Sequence, residues 1–146
     1  MYKLILLTTL TLLVACNQTP KESFITEGAW VREGPPNAGA LAGYVTITNH
    51  TDQDRTLVSA KSEQFNVVEI HRTIVENGVA KMRRQKDLPI PAGGSLVLEP
   101  GSYHLMLMTP KSAFKANDEV TVTVALKLND DIEEIDIVMP VKKPNS

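Results

Sequence analysis

The sequence predicts an all-β protein of a single domain, a β-sandwich or Greek-key barrel. Short stretches alternate apolar and polar residues with the period of a half-buried strand. Turn residues punctuate these stretches at short intervals, and no long stretch carries a helical period. A length of 146 residues fits one domain with a real core.

The first fifteen residues stand outside that domain. Met1 to Ala15 (MYKLILLTTLTLLVA) reads as a secretory signal peptide: one Lys, an apolar run short for a membrane span, then a small residue. Leu13-Val14-Ala15-Cys16 resembles a bacterial lipobox, which makes Cys16 the expected lipidation site. It is the only Cys, so no intramolecular disulfide is expected. Residues 17–27 are polar, hold Pro20 and read as a tether following the lipidated Cys16. The β domain is expected from Gly28 to Val141, followed by a short tail over 142–146.

Within the domain the strand signals come in order. Tyr44–Thr48, Val67–Ile74, Ser95–Glu99, Tyr103–Met108, Val120–Leu128 and Ile132–Val138 are rich in β-formers. Turns are expected at Gly34–Asn37, Asn49–Asp54, Asn77-Gly78, Pro89–Gly94, Pro100-Gly101 and Asn129-Asp130.

Charge excludes one class of partner. Without Lys3, lost with the leader, 14 Lys and Arg face 17 Asp and Glu, a net charge of −3. That is not the balance of a nucleic-acid binder, and 5% aromatic residues supply few stacking platforms.

The chemistry-bearing residues fall in two short regions. Asn77-Gly78 favours a two-residue type I′ turn, which would pair Glu76 with Val79 and set Thr73 opposite Met82. His71 then lies diagonal to Met82 on the same face, within reach of a shared ion. In Tyr103–Met108, His104, Met106 and Met108 share one face and Tyr103, Leu105 and Leu107 the other. The Leu face is the expected core face, which puts His104 and the two Met on the outer face or its rim. Thioether is a soft, neutral ligand suited to Cu(I), and imidazole suits copper and other metals. Two His and two Met with no thiolate therefore point to Cu(I). Zinc would call for Cys, His or carboxylate, and blue copper for a Cys.

These residues resemble the PCuAC family of periplasmic copper chaperones. The family pattern is His, ten residues, Met, twenty-one residues, His, one residue, Met. His71, Met82, His104 and Met106 stand at that spacing. The flanking Ala29–Arg32, Tyr44–Asn49, Ile90–Gly94 and Pro100–Met108 are similar as well. The resemblance implies a cupredoxin-like β-barrel and one Cu(I) bound by the four side chains. It further implies copper delivery to the CuA centre of a respiratory oxidase, directly or with a Sco-type protein. Some members carry Met after the first His, where this chain has Arg72. Some carry a His- and Met-rich tail for Cu(II), which Pro140 to Ser146 lacks.

The expectation is thus a monomeric, non-enzymatic copper chaperone, held to a bacterial membrane on its periplasmic side, the outer membrane favoured by Asn17. A copper buffer that sequesters without delivery shares all of these features. His50 is expected at the surface, Met139 in the core and Met108 at the rim of the site. Arg72, Lys81, Arg83, Arg84 and Lys86 form a basic cluster, read either as a solvated hairpin or as a docking patch for an acidic partner.

Overall fold

A computed structural model describes residues 22–144. The leader, Cys16 and most of the tether lie outside them. Ten strands follow one another, with no helix among the described residues. They are β1 (Phe24–Arg32), β2 (Ala40–Asn49), β3 (Arg55–Lys61), β4 (Phe65–Glu76), β5 (Val79–Gln85), β6 (Leu88–Ile90), β7 (Ser95–Leu98), β8 (Tyr103–Pro110), β9 (Glu119–Leu128) and β10 (Asp131–Lys142). The hydrogen-bonded path is β5-β4-β8-β2-β1-β10-β9-β3-β6, with β7 also beside β2. Neighbours are antiparallel except β1 and β10, which join in parallel at Val31↔Val141. The path folds back so that β3 meets β4 and β6 meets β7, and the two layers close on one core.

The core is built by period-two alternation. Val120, Val122 and Val124 of β9 point inward while Thr121 and Thr123 do not. Ile137, Met139 and Val141 of β10 meet Leu105 and Leu107 of β8 in the same core cluster. Each fully buried side chain of this size contributes about 1.5–3 kcal/mol. At the far end of β2 the buried Asn49 ties strand to turn. Its Nδ2 donates to the carbonyls of Gln53 at 2.8 Å and Ile90 at 3.1 Å. Its Oδ1 accepts from the Thr51 amide and hydroxyl.

Three expectations are corrected. The domain begins at β1, not at Gly28: Phe24 is buried and pairs with Asn49. Gly28, at φ 61°, sits in a bulge where the β1–β2 register shifts between Glu27 and Trp30, so residues 24–27, expected in the tether, are strand. Leu88-Pro89-Ile90, whose Pro89 and Ile90 were expected in a turn, forms edge strand β6, where Pro89 has no ladder bond to lose on its open side. Finally, β10 runs past Val138 to Lys142, which places Met139 inside a strand, fully buried, and not at its end.

The elements that position the site are β4, β5 and β8. Asn77 (φ 52°) and Gly78 (φ 76°) both adopt the left-handed conformation a type I′ turn requires. The β4–β5 register follows from it, with Glu76↔Val79 and Thr73↔Met82. On its other side β4 pairs with β8 as His71↔His104, Glu69↔Met106 and Val67↔Met108.

Candidate metal-binding site

Residues paired directly across strands share a face of the sheet. His71 and His104 are such a pair, and their ring centres lie 6.0 Å apart at an interplanar angle of 63°. A metal bound about 2 Å from a ring nitrogen sits about 3 Å from that ring's centre, so this spacing suits one shared ion. Met106 lies two residues from His104 on that face, opposite Glu69. Met82 lies opposite Thr73, diagonal to His71, as the turn geometry requires. Met108 is one pair further along β8, against Val67 and Ala40. His50 stands apart, half-buried just past the far end of β2.

Exposure grades across the site. Met82 is 57% exposed on edge strand β5, His71 and Met106 are half-buried, and His104 is 3% exposed. His104 does lie on the face away from Leu105 and Leu107, but it is buried there. β8 is an interior strand, flanked on this face by His71 of β4 and by β2, where Ala42 opposes Met106. Tyr44 continues that face of β2, and its ring packs 4.7 Å from Trp30.

Hydrogen bonding decides which nitrogen each ring leaves free. His104 Nδ1–H donates to the Ser102 carbonyl at 3.2 Å. His71 Nε2–H donates to Glu69 Oε2 at 2.8 Å. The remaining nitrogens, His104 Nε2 and His71 Nδ1, are buried and have no hydrogen-bond partner. Buried polar atoms are ordinarily satisfied, and an orphan invites an explanation. Two orphaned lone pairs on facing rings fit a metal ion. Among the described residues no three His, Cys, Asp or Glu side chains group into a metal cage; the register sets Met106 and Met82 on the same face as the two rings.

Sequence reasoning missed Glu69. It stands two residues before His71 on the same strand, so the period of two alone places both on one face. Arg84, directly opposite His71, lies 3.0 Å from Glu69 Oε1. The hydrogen bond from His71, helped by the charge of Arg84, holds the Glu69 carboxyl below the usual carboxylate range against the desolvation that opposes it. Burial pushes the His104 imidazole down, partly offset by its bond to Ser102. The basic cluster is largely self-compensated. Lys81 and Arg83 both pair with Glu76, Arg84 pairs with Glu69, and Arg72 lies over the Tyr103 ring at 5.1 Å.

Acid should destabilise the metal-free protein. Both groups are held low in the fold, so as pH falls the unfolded chain binds the more protons and stability declines. The His104 part of the loss sets in below about 6.5 and the Glu69 part below about 4.3. The melting midpoint should fall between neutral pH and pH 5, and His104→Gln should remove that fall while leaving the Glu69 part at lower pH. A flat midpoint over this range would contradict a buried neutral His104.

Similarity to known proteins places the chain. A protein of Leifsonia xyli subsp. xyli named as a lipoprotein, Lxx21020, is 30% identical over 115 residues. That match covers 78% of this chain and 66% of the relative, so the chain spans just under two thirds of its length. The solution structure of the Cu(I) form of DR1885 from Deinococcus radiodurans is 30% identical, with a TM-score of 0.63 over 90% of this chain and 85% of that one. The copper-bound PCuAC domain from PmoF2 matches with a TM-score of 0.67 over 84% of this chain and 94% of that domain. Its 19% identity speaks to the fold alone, which is thus the PCuAC fold. The LpqE-like family model matches residues 25–141, nearly the whole described domain. The chain belongs to the LpqE-like family.

Proposed function

We propose that this domain binds one Cu(I) ion through His71, Met82, His104 and Met106 and passes it to an acceptor that carries Cys thiolates. The observation that carries the reading is the pair of buried imidazole nitrogens, His71 Nδ1 and His104 Nε2, left without partners on a face that also bears Met106 and Met82. The donor set is neutral and half thioether, which favours a soft monovalent ion. The DR1885 structure is described with Cu(I) and the PmoF2 domain as copper-bound, in line with this assignment. The relative named as a lipoprotein is in line with a lipidated protein held at a membrane, for which Cys16 is our candidate attachment point and the periplasmic side the expected location.

Thioethers hold Cu(I) without adding negative charge. Thiolates also suit the ion and add charge attraction, so transfer to them runs downhill. Candidate acceptors are the CuA domain of a respiratory oxidase, reached directly or with a Sco-type protein. Met82, exposed on an edge strand, is the ligand an incoming thiolate can replace first.

The test has two stages. Anaerobic titration should give one Cu(I) per protein, with X-ray absorption showing nitrogen and sulfur neighbours. A sulfur-free shell would sink the ligand assignment. Copper-loaded protein is then mixed with an equimolar, reduced thiolate acceptor and copper is measured on each. Copper that moves supports delivery; copper that stays favours a buffer.

A further inference from the structure

The two candidate histidines are held by opposite nitrogens. A neutral imidazole carries one proton, and the group that accepts it decides which nitrogen keeps a lone pair. His104 is fixed by a backbone carbonyl, an acceptor that no side-chain substitution removes. His71 is fixed by a side chain. Glu69 Oε2 takes the Nε2 proton at 2.8 Å, and the other oxygen, Oε1, is held 3.0 Å from Arg84 Nη1. The carboxylate is anchored from both sides. Its strand sets it next to His71 on one face, and Arg84 reaches it from β5. Glu69 and His71 keep only 18% and 15% of their side-chain exposure, so water competes weakly for this bond.

We propose that Glu69 is the positioning residue of the site: it locks His71 in the Nε2–H tautomer and aims Nδ1 at the ion, with Arg84 holding the carboxylate in place. This rests on the four-ligand reading above. The arrangement supplies what side-chain ligation from His71 needs. Without an acceptor at Nε2 the ring would sample both tautomers and swing about χ2, and the ion would meet a protonated nitrogen for part of the time. Carboxylate partners of metal-bound His act in this way, and removing one typically costs 10–100-fold in metal affinity. Among the described ion pairs, Glu69–His71 alone joins a carboxylate to a candidate ligand. Glu76, which pairs with Lys81 and Arg83, touches none.

The test reads the ring as well as the metal. Nitrogen-15 NMR of the metal-free protein should show His71 protonated at Nε2 and His104 at Nδ1. In Glu69→Ala the His71 signals should move to a mixture of tautomers while those of His104 stay. Cu(I) affinity, measured anaerobically against a chromophoric Cu(I) chelator, should fall about 10–100-fold. Glu69→Gln keeps an oxygen that can accept the Nε2 proton, so it should restore the tautomer and most of the affinity. Arg84→Ala should fall between wild type and Glu69→Ala. An unchanged His71 tautomer or an unchanged Cu(I) affinity in Glu69→Ala overturns the proposal. If His71→Ala loses copper and Glu69→Ala does not, the proposal falls and the ligand reading stands. If the wild-type protein takes up no Cu(I), both fall.

Discussion

Replacing His104 by alanine should lower Cu(I) affinity by more than about 100-fold, beyond what loss of an outer hydrogen-bond partner costs a metal site. His104 is the most deeply placed of the four candidate ligands, at 3% exposure. Its Nε2 is buried and has no hydrogen-bond partner among the described residues. An ion there depends on that nitrogen, and alanine offers nothing in exchange. The fold should survive, because the imidazole contributes a single bond to the Ser102 carbonyl. Chelator competition and a melting curve on the same sample separate the two effects. Met108→Leu is the control: Met108 lies one pair beyond Met106, and its loss should leave affinity unchanged. Wild-type affinity in His104→Ala would remove His104 from the site.

The second large effect lies one residue away and is of another kind. Leu105→Ala should destabilise the fold by about 2–5 kcal/mol, the range for emptying a well-packed aliphatic site. Leu105 is fully buried, pairs with Ile70 and Gly43, and belongs to the core cluster. Met106→Leu, a near-isosteric change on the opposite face, should cost less than about 1.5 kcal/mol while weakening Cu(I) binding. Urea unfolding of both variants tests the pair. Equal destabilisation by the two would mean that β8 does not divide its faces between packing and binding.

Much of this architecture is legible in the residues, and its gaps have physical causes. Asn77-Gly78 is a turn with few alternatives, and it sets the Thr73↔Met82 register. Alternation in Tyr103–Met108 assigns the core face of β8. What alternation cannot supply is strand order. His104 is buried because β8 lies between β4 and β2, a non-local pairing that no local pattern contains. β3 has one fully buried residue, Leu57, and so little apolar signal to read. β6 is three residues long and centred on Pro89, which reads as a turn. Gly28 looks like a boundary and proves to be a bulge. Glu69 was within reach, since Glu-x-His on a strand puts carboxylate and imidazole side by side, but a lone acid among many carries no flag. The sequence left the basic cluster open between a solvated hairpin and a docking patch, because its partners Glu76 and Glu69 are brought to it by the hairpin.

The β4–β8 pairing has a consequence for the life of the chain before it folds. The hairpin supplies His71 and Met82 from neighbouring sequence, but His104 and Met106 arrive only when β8 docks from a distant stretch. An unfolded chain holds half a site. A ligand that binds the native state alone stabilises it by mass action, by about 2.7 kcal/mol at a hundred times the dissociation constant. Under the proposed assignment the metal therefore acts as a late clamp on a finished topology: it cannot recruit the strands, and it holds them once they have met.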